Sequence, residues 1–567
     1  MLRRLSSALV ALIRGGNGAK ENDGKQFNSF EPDSRLLEGL AYQKAGDVIA
    51  AERLYSEVLR YSPNHPDAHH LLATLEQRRG NLDRAEALVR RALEISPNLA
   101  EYSNTLATLL TDIGCHSEAI EILRTVLQIS PNALRPRTNL LFLLHLLPGV
   151  TRAAILAEHV EWANRHAKPN SFTTIESCAY SNSQKVRTSG RLRVGYISAD
   201  FCGHPVGRIM SAILPNHDPN EFEIYCYDNA SKPDELNAIL RNNAYKWIDI
   251  GDLDDNMLVE RICADEINIL IDLSGHTKGS RLVALGRKPA PIQVGWLGYL
   301  GTTGMKAMDW RLTDRRSDPE PDAQSLHVEG LWYLPNCLWP WGPSASFNGI
   351  EVGPPPSIKS KFITFGSFNT FRKINYQVIA TWAEVLREIP SSRLRIYGAP
   401  SGRAVELVYD QFESEGIDID RIDLFASVDY SRYLNAYREI DIALDPFPYC
   451  GGATTCESLW MGVPVITLAG EGGFSRTGAG LLGAIGLDEC VAATTADYVR
   501  IAVQLARDPA RLSELRRTLR ERVARSPMAD AEGFVRDLEN AYSGMWRHFV
   551  LSHPNRASFS GNTGLEN

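Results

Sequence analysis

A 34-residue period in the N-terminal third constrains this chain more than any other feature of its sequence. Three Ser-Pro-Asn tripeptides place prolines 34 residues apart, at Pro63, Pro97 and Pro131. Other residues repeat with the same step: Gly46, Gly80, Gly114, Ala51, Ala85, Ala119, Leu59, Leu93 and Leu127. Glycine marks the end of a helix, alanine lets two helices approach closely, and proline stops the next helix. The period therefore predicts two amphipathic helices in each unit.

These positions resemble the small-residue and proline positions of the tetratricopeptide repeat. Ala153 and Val160 keep the phase of Ala119 and Val126, which predicts a fourth, degenerate unit. We expect the repeats over residues 31–168 to stack into a superhelix whose concave face binds a protein or peptide. A purely structural spacer or a dimerisation arm is the alternative.

Composition and charge exclude several classes of function. The 567 residues, 44% hydrophobic and 23% charged, indicate a globular protein with more than one core. A net charge of -8 repels a phosphate backbone, so we expect no nucleic-acid partner. The apolar runs are too short to span a bilayer, so we expect no membrane partner. Nine cysteines without a Cys-x-x-Cys pair suit reduced thiols, which predicts a cytoplasmic protein.

From about residue 190 onward, short β-branched and aromatic runs alternate with longer helical stretches. Nine runs predict strands: Leu192–Ser198, Phe222–Tyr227, Ile267–Leu273, Ile292–Trp296, Phe362–Phe365, Arg393–Tyr397, Ile422–Phe425, Ile440–Leu444 and Val463–Leu468. This alternation predicts parallel sheets covered by helices. A Gly/Pro-rich stretch, Gly342–Ser357, separates two groups of strands. We therefore expect an α/β region of two Rossmann-like lobes, with ligands beyond the carboxyl ends of the strands.

The strongest motif reads as a strand, a Gly-rich turn, a helix and a second strand. Gly451 and Gly452 allow a ligand to approach the backbone closely. Thr454 and Thr455 would place amides and hydroxyls at a helix N-terminus, which is a suitable site for a diphosphate. Glu457, one turn later, is placed to accept hydrogen bonds from ribose hydroxyls. A turn that only caps a helix is the alternative for this motif taken alone.

Two further segments, Phe365–Lys373 and Pro289–Tyr299, accompany this motif. Together the three resemble the catalytic region of the O-linked N-acetylglucosamine (O-GlcNAc) transferase family, in which tetratricopeptide repeats precede two catalytic lobes. The resemblance covers most of the chain and is greatest to bacterial members. It implies a GT-B-like fold and a glycosyltransferase that moves N-acetylglucosamine, with inversion, from UDP-N-acetylglucosamine to Ser or Thr hydroxyls of proteins. Another donor on the same scaffold, GDP-fucose or UDP-glucose, and an inactive repeat scaffold are the alternatives.

The resemblance implies catalytic roles for two residues. Lys373 occupies the family position of the cation that stabilises the leaving diphosphate. His204, in the loop after the first strand, is expected to contact the acceptor hydroxyl or the sugar, and it is a candidate general base.

The resemblance also implies a donor site to which both lobes contribute. Besides the Gly-rich turn and Glu457, its expected members are His276, Gly301, Thr302, Thr303, Asn369, Thr370 and Tyr433. His276 is expected to line the sugar pocket, and the loop that begins at Gly301 is expected to meet the sugar. Tyr433 is expected to stack on uracil, with Tyr430 or Tyr437 as alternatives. Leu300 departs from the family pattern, which usually has proline there.

No metal is expected beside the UDP-sugar co-substrate, because the family works without one. Two Asp-x-Asp patterns, Asp252–Asp254 and Asp418–Asp420, match the ligands of metal-dependent glycosyltransferases, but each lies in an acidic, surface-like stretch.

The chain is accordingly divided into seven segments. They are a disordered leader over 1–30, repeats over 31–168, a linker over 169–190, an N-terminal catalytic lobe over 191–345, a linker over 346–361, a C-terminal nucleotide-sugar-binding lobe over 362–545 and a disordered tail over 546–567.

Overall fold

The structure is a computed structural model that describes residues 31–167, 190–230 and 233–553. The predicted leader, nearly all of the first linker and the last part of the predicted tail lie outside the described residues. The chain divides into two compact units. One comprises residues up to Pro136 together with Pro400–Ala404, and the other comprises Arg137–Ala399 and the residues from Val405 onward.

The first unit contains helix pairs with the predicted period. Its helices are α1 (Pro32–Ala45), α2 (Val48–Tyr61), α3 (Pro66–Arg79), α4 (Leu82–Ile95), α5 (Ala100–Ile113) and α6 (His116–Ile129). Gly46, Gly80 and Gly114 end the first helix of each pair at positive φ, a conformation that glycine adopts without strain. The repeated alanines of the second helices are fully buried, which allows the close helix packing that the sequence predicted.

Hydrogen bonds between residues 35 apart join neighbouring repeats. Tyr102 donates to Asp67 Oδ1 over 2.5 Å, and His70 Nε2 lies 2.8 Å from Thr105 Oγ1. Since the period is 34, each bond joins a residue to the one that follows its equivalent in the next unit, as expected for a regular stack.

The second unit contains a seven-stranded and a six-stranded sheet. The strands of the first are β1 (Leu192–Ser198), β2 (Phe222–Asp228), β3 (Lys246–Asp249), β4 (Ile269–Asp272), β5 (Ile292–Gly295), β6 (Trp310–Asp314) and β7 (Gly330–Leu334). Those of the second are β8 (Thr364–Ser367), β9 (Arg393–Tyr397), β10 (Ile422–Phe425), β11 (Ile442–Leu444), β12 (Val465–Leu468) and β13 (Val491–Ala492). All pairings are parallel, in the orders β3-β2-β1-β4-β5-β6-β7 and β10-β9-β8-β11-β12-β13.

Helices accompany both sheets. Those before and within the first lobe are α7 (Leu134–Leu144), α8 (Arg152–His166), α9 (Pro205–Ile213), α10 (Glu235–Asn242), α11 (Asp255–Ala264) and α12 (Leu282–Leu285). The later ones are α13 (Ser357–Ser360), α14 (Tyr376–Glu388), α15 (Arg403–Ser414), α16 (Tyr430–Ala436), α17 (Ala453–Trp460), α18 (Thr477–Ala484), α19 (Thr495–Ala506), α20 (Pro509–Ala524) and α21 (Ala531–Ser552). The architecture is the expected one, a helical repeat region and two parallel-sheet lobes.

Strands β3, β6, β7 and β13 were not predicted from the sequence. β6 contains Arg311, which is buried within 3.5 Å of the equally buried Asp318. A charged residue interrupts the apolar run that indicates a buried strand, and its partner lies outside that strand. β13 has only two residues and leaves no periodic pattern.

The segment boundaries differ from the expected ones at two places. The unit that holds the sheets begins at Arg137 rather than near 168, because Trp162 of α8 belongs to the same core as Ile197 and Tyr227 of the first sheet. The last helix packs on the first sheet, where Phe534 stacks on Trp296. It also continues to Ser552, so residues 546–552 are helical rather than part of a tail.

None of the helices in the described part of the chain combines the length and the apolar character needed to cross a membrane.

Candidate active site

The strand order creates an opening at the same place in each sheet. β1 lies between β2 and β4, and β8 lies between β9 and β11, so the connections leave these strands in opposite directions. Such points are where parallel sheets bind ligands. The segments that follow β1, β8 and β11 line one cavity of about 960 Å³ between the two lobes.

Eight of the expected site residues line this cavity. They are His204, Asn369, Thr370, Lys373, Gly451, Gly452, Thr454 and Glu457. Six others lie outside its lining: His276, Gly301, Thr302, Thr303, Tyr433 and Thr455. The members of the first group come from the segments that follow β1, β8 and β11.

Lys373 lies at the cleft end of β8 and points towards the Gly-rich turn. Its Nζ donates to the Cys450 carbonyl over 2.8 Å and to Asn369 Oδ1 over 3.2 Å, and it lies 4.2 Å from the centre of the Tyr449 ring. Burial lowers the pKa of this amine, and the Asp445 carboxylate partly opposes that effect. These contacts fix the Lys373 amine on the cavity wall.

Asp445 lies behind the Gly-rich turn and holds it in place by hydrogen bonds. Its carboxylate accepts hydrogen bonds from the Gly451 amide over 2.7 Å, from Thr467 Oγ1 over 2.8 Å and from Asn369 Nδ2 over 3.2 Å. Burial raises its pKa to about 6, and Lys373 partly opposes the rise. The acid therefore couples the turn to the segment after β8.

The turn itself requires glycine at its first position. A Cβ on Gly451 would lie 2.5 Å from Thr455 Oγ1 and 2.7 Å from Asp445 Oδ1, which is closer than such atoms approach. Gly452 is the N-cap of α17, and a glycine cap has no side chain to occupy the first-turn amides. Thr454 Oγ1 lies at the same helix end, 3.2 Å from Asn369 Oδ1. Amides, a hydroxyl and an ammonium converge here, which suits a diphosphate.

His204 lies on the opposite wall, as the N-cap of α9. Its Nδ1 accepts from the Val206 amide over 3.3 Å and lies 3.8 Å from Asp200 Oδ2. An Nδ1 that accepts a hydrogen bond places the proton of the neutral ring on Nε2. Burial lowers the pKa of His204, Asp200 opposes this, and Arg208 adds to it.

Glu457 is buried at the cavity wall on α17. Oε1 accepts from Tyr430 and Oε2 accepts from Tyr433, each over 2.8 Å. Tyr433 lies behind the acid and packs edge-on against Phe368, so its ring does not face the cavity. Tyr430 does line the cavity.

His276 lies in a buried cluster of rings rather than at the cavity. Its Nε2 lies 2.9 Å from the Thr303 carbonyl, and its ring packs against those of His159, Trp162 and Tyr299. Burial lowers its pKa well below the ordinary value. The helix α8, whose position the sequence did not reveal, covers this side of the loop after β4.

The loop of Gly301, Thr302 and Thr303 is also turned away from the cavity. Glu329, itself buried, accepts hydrogen bonds of 2.6 Å from Thr302 Oγ1 and from the Thr303 amide, and another from Thr303 Oγ1. Leu297, which lines the cavity, precedes this loop.

The two Asp-x-Asp patterns cap helices. Asp254 accepts from the amides of Asn256 and Met257, and Asp418 accepts from the amide of Asp420. Within the described residues, no group of three or more His, Cys, Asp or Glu side chains is arranged to hold a metal ion.

The residues of the cavity region that sequence reasoning missed include Asp200, Arg208, Asp445 and, as first choice, Tyr430. Two signals were available. Asp445 follows a strand at a point where ligands bind, and Arg208 lies four residues after His204, on the same face of α9.

Comparison with known proteins agrees with this architecture. The model of glycosyl transferase family 41 matches residues 133–342 and 357–538, and a tetratricopeptide repeat model matches residues 42–109. In solved structures, a mutant of the O-GlcNAc transferase of Thermobaculum terrenum is 33% identical with a TM-score of 0.85. That match covers 93% of this chain and 100% of the other.

Curated plant relatives match about two thirds of the chain. The probable UDP-N-acetylglucosamine–peptide N-acetylglucosaminyltransferase SPINDLY of Oryza sativa subsp. japonica is 37% identical over 403 residues, which are 69% of this chain and 42% of that protein. Its counterpart from Eustoma exaltatum subsp. russellianum is 40% identical over 367 residues, 63% of this chain and 39% of that protein. The chain thus spans less than half the length of these relatives. The resemblance to the O-GlcNAc transferase family is confirmed, and, with the family model matching well over half of its length, the chain belongs to glycosyl transferase family 41.

Proposed function

We propose that this protein is an inverting glycosyltransferase that moves N-acetylglucosamine from UDP-N-acetylglucosamine to Ser or Thr hydroxyls of proteins. One observation supports this most: Lys373, Thr454 and the N-terminus of α17 converge on one wall of a cavity between two parallel-sheet lobes. The two plant relatives bear the name of probable UDP-N-acetylglucosamine–peptide N-acetylglucosaminyltransferases, which agrees with this donor and acceptor class.

In this proposal the converging groups stabilise the leaving UDP. Negative charge grows on the diphosphate as the bond from the sugar to its oxygen breaks. Lys373 Nζ supplies a full positive charge, and the first-turn amides of α17 supply partial ones. Because protein groups provide this charge, we propose that the enzyme uses no metal.

His204 is proposed to contact the reacting groups from the first lobe. With Nδ1 engaged by the Val206 amide, Nε2–H is the ring's hydrogen-bond donor, and a sugar or acceptor oxygen is a suitable partner. Glu457 is proposed to receive the ribose hydroxyls of the donor.

The repeat region is proposed to bind the protein acceptor. Its stacked helix pairs are of the type that presents a concave face to an extended segment. A variant lacking Glu31–Ala133 should keep its affinity for UDP and lose transfer to protein acceptors. Retained transfer to every acceptor would contradict this role, and loss of UDP binding by a folded variant would assign the repeats to the donor site.

The donor and the metal requirement can be tested together. Isothermal titration with UDP, GDP, UDP-N-acetylglucosamine, UDP-glucose and GDP-fucose, in EDTA and then with Mg²⁺, should give binding of UDP and its N-acetylglucosamine conjugate in EDTA. Mass spectrometry of acceptor proteins should then detect an added N-acetylhexosamine, which should form far more slowly with Lys373→Ala.

Each other outcome has a defined meaning. A strict need for Mg²⁺ or Mn²⁺ would contradict the metal-free proposal. Preference for GDP-fucose or UDP-glucose would assign another donor to the same scaffold. Binding of no nucleotide would favour an inactive repeat scaffold.

A further inference from the structure

Arg208 is a charged residue of the cavity lining for which neither the motifs nor the comparisons suggest a role. It lies on α9 in the first lobe, yet its Nη1 donates to Tyr430 Oη in the second lobe over 3.1 Å. The same atom lies 3.7 Å from Glu457 Oε1. Its guanidinium carbon lies 4.4 Å from the centre of the Tyr430 ring. Arg208 therefore crosses the cleft and contacts two residues on its other side.

The residues it meets form a layered arrangement around one carboxylate. Tyr433 and Tyr430 stack with centres 5.7 Å apart and planes 15° from parallel, and each donates its hydroxyl to a different oxygen of Glu457. Arg208 lies over the ring of Tyr430. Its guanidinium lines the cavity, with the side chain 35% exposed.

Burial makes the charge of Glu457 costly. The side chain is 6% exposed, and desolvation raises its pKa, while Tyr430, Tyr433, Arg208 and Tyr437 act to lower it. The tyrosines are neutral, so Arg208 is the cation in this set. A buried carboxylate without a cation tends to take up a proton, and a protonated carboxyl offers fewer acceptor lone pairs.

We propose that Arg208 is a positioning residue of the donor site: it holds Tyr430 and the ionised Glu457 in the arrangement that receives the nucleoside of the donor. The inference rests on the proposed function, in which Glu457 accepts the ribose hydroxyls. As a consequence, the part of the site that receives the nucleoside contains residues of both lobes: Tyr430 and Glu457 belong to the second lobe, and Arg208 belongs to the first. A guanidinium suits this task because its planar fork lies flat on a ring while it donates hydrogen bonds in its own plane, whereas an ammonium has no planar face.

The test is the pH dependence of UDP binding in EDTA, measured by isothermal titration from about pH 5 to about pH 8. Arg208→Ala and Arg208→Gln should weaken UDP binding about tenfold near neutral pH, since a hydrogen-bonded charge pair is broken. Without Arg208 the pKa of Glu457 rises further, so the loss of affinity on acidification should begin at a higher pH than in the wild type. Arg208→Lys should keep the wild-type position of this acid limb and lose less affinity.

Asp200 and His204 are also titratable groups near Arg208. A second set of variants, made in the Glu457→Gln protein, distinguishes their titration from that of Glu457. In Glu457→Gln no charge remains for Arg208 to hold, so adding Arg208→Gln should neither weaken UDP binding much further nor move the acid limb. Arg241→Ala is the matched control, because Arg241 pairs with Asp249 at the surface of the same lobe and outside the cavity lining.

Unchanged affinity and an unchanged acid limb in both Arg208→Ala and Arg208→Gln would overturn the proposal. So would an equal loss in the Glu457→Gln background, which would make Arg208 a direct contact of the nucleotide. If Arg208→Ala fails to fold, the comparison of Arg208→Gln with Arg208→Lys decides. A wild type that binds no UDP at any pH would overturn the proposed function itself and this inference with it.

Discussion

Two loops of this protein share a local signature, adjacent threonines within two residues of a glycine, and only one of these threonine pairs has a member that lines the cavity. In the first lobe, Thr302 and Thr303 donate to the buried Glu329. In the second lobe, Asp445 accepts a hydrogen bond from the Gly451 amide of the turn, and Thr454 lines the cavity. The threonines of the first loop donate their hydrogen bonds to a buried acid and are not available to a ligand. In the second loop the acid accepts from a glycine amide instead, so Thr454 is available.

The sharpest way to break this comparison is to remove Lys373, the cation that lies on the cavity wall beside the second loop. Lys373→Ala should lower turnover by about 10²–10³-fold, because the charge matters most when the diphosphate leaves. Binding of the UDP-sugar should weaken much less. Steady-state kinetics and isothermal titration measure the two effects, and near wild-type turnover in a folded variant would make Lys373 a bystander.

Adding one methyl group to each loop should have very different results. Gly451→Ala places a Cβ 2.5 Å from Thr455 Oγ1, so the turn must shift, and UDP affinity should fall at least about tenfold. A Cβ on Gly301 would lie 3.2 Å from the Tyr299 ring, which needs only a small adjustment. Gly301→Ala should therefore leave the dissociation constant for UDP close to that of the wild type. Equal losses in the two variants would place both loops at the donor.

Removing one hydroxyl from each loop should separate binding from stability. Thr454→Val should weaken UDP binding a few-fold, with little change in the melting temperature. Thr303→Val leaves Glu329 with one hydrogen bond fewer, so the free energy of unfolding should fall by about 1–3 kcal/mol while UDP binding is kept. Thermal melts and titrations on the same samples check this pair, and the reverse pattern would mean that the first loop is the ligand-binding one.

The smallest effect concerns two buried acids, Asp272 at the end of β4 and Asp445 at the end of β11. Burial raises the pKa of each to about 6. A carboxyl with a raised pKa adds stability at low pH, and that contribution is lost as the pH rises through about 6. Asp272→Asn and Asp445→Asn should each flatten the fall in unfolding free energy between about pH 4 and about pH 6, by about 1–3 kcal/mol.

Only Asp445→Asn should also weaken UDP binding, because only Asp445 holds the Gly-rich turn. Urea unfolding across this pH range gives the first result, and titration with UDP gives the second. An equal effect of both variants on UDP binding would contradict the difference between the loops.

Much of the fold was predictable because its signals are local. The helix pairs follow from glycine, alanine and proline at a fixed period, and nine of the strands follow from β-branched runs. β6 was missed because its charge is neutralised by Asp318, which lies outside the strand. The fourth repeat was read correctly as helix, but burial of Trp162 against the first sheet makes it part of the second unit.

The residues of the candidate site also fall into two groups: those that local sequence signals place correctly and those that only tertiary packing places. Lys373 and Thr454 follow strands whose ends meet at one crevice, so the sequence could place them there. His276 and Thr303 also follow strands, but α8 covers His276 and Glu329 accepts hydrogen bonds from Thr303. Neither partner is adjacent to these residues in the sequence. Tyr430 and Tyr433 are three residues apart on α16, and only the packing of Phe368 and Arg208 decides which ring reaches the cavity.

By itself, the sequence determined the helical repeats, the two parallel sheets and the Gly-rich turn beside a lysine, because each depends on neighbouring residues and regular spacing. The tertiary structure alone decided which polar groups remain available to a ligand. A buried hydroxyl or amide donates a hydrogen bond to an acceptor within about 3 Å, and that acceptor usually belongs to a distant part of the chain. Glu329 engages one pair of threonines, Asp445 leaves Thr454 at the cavity, and Arg208 crosses the cleft to Glu457.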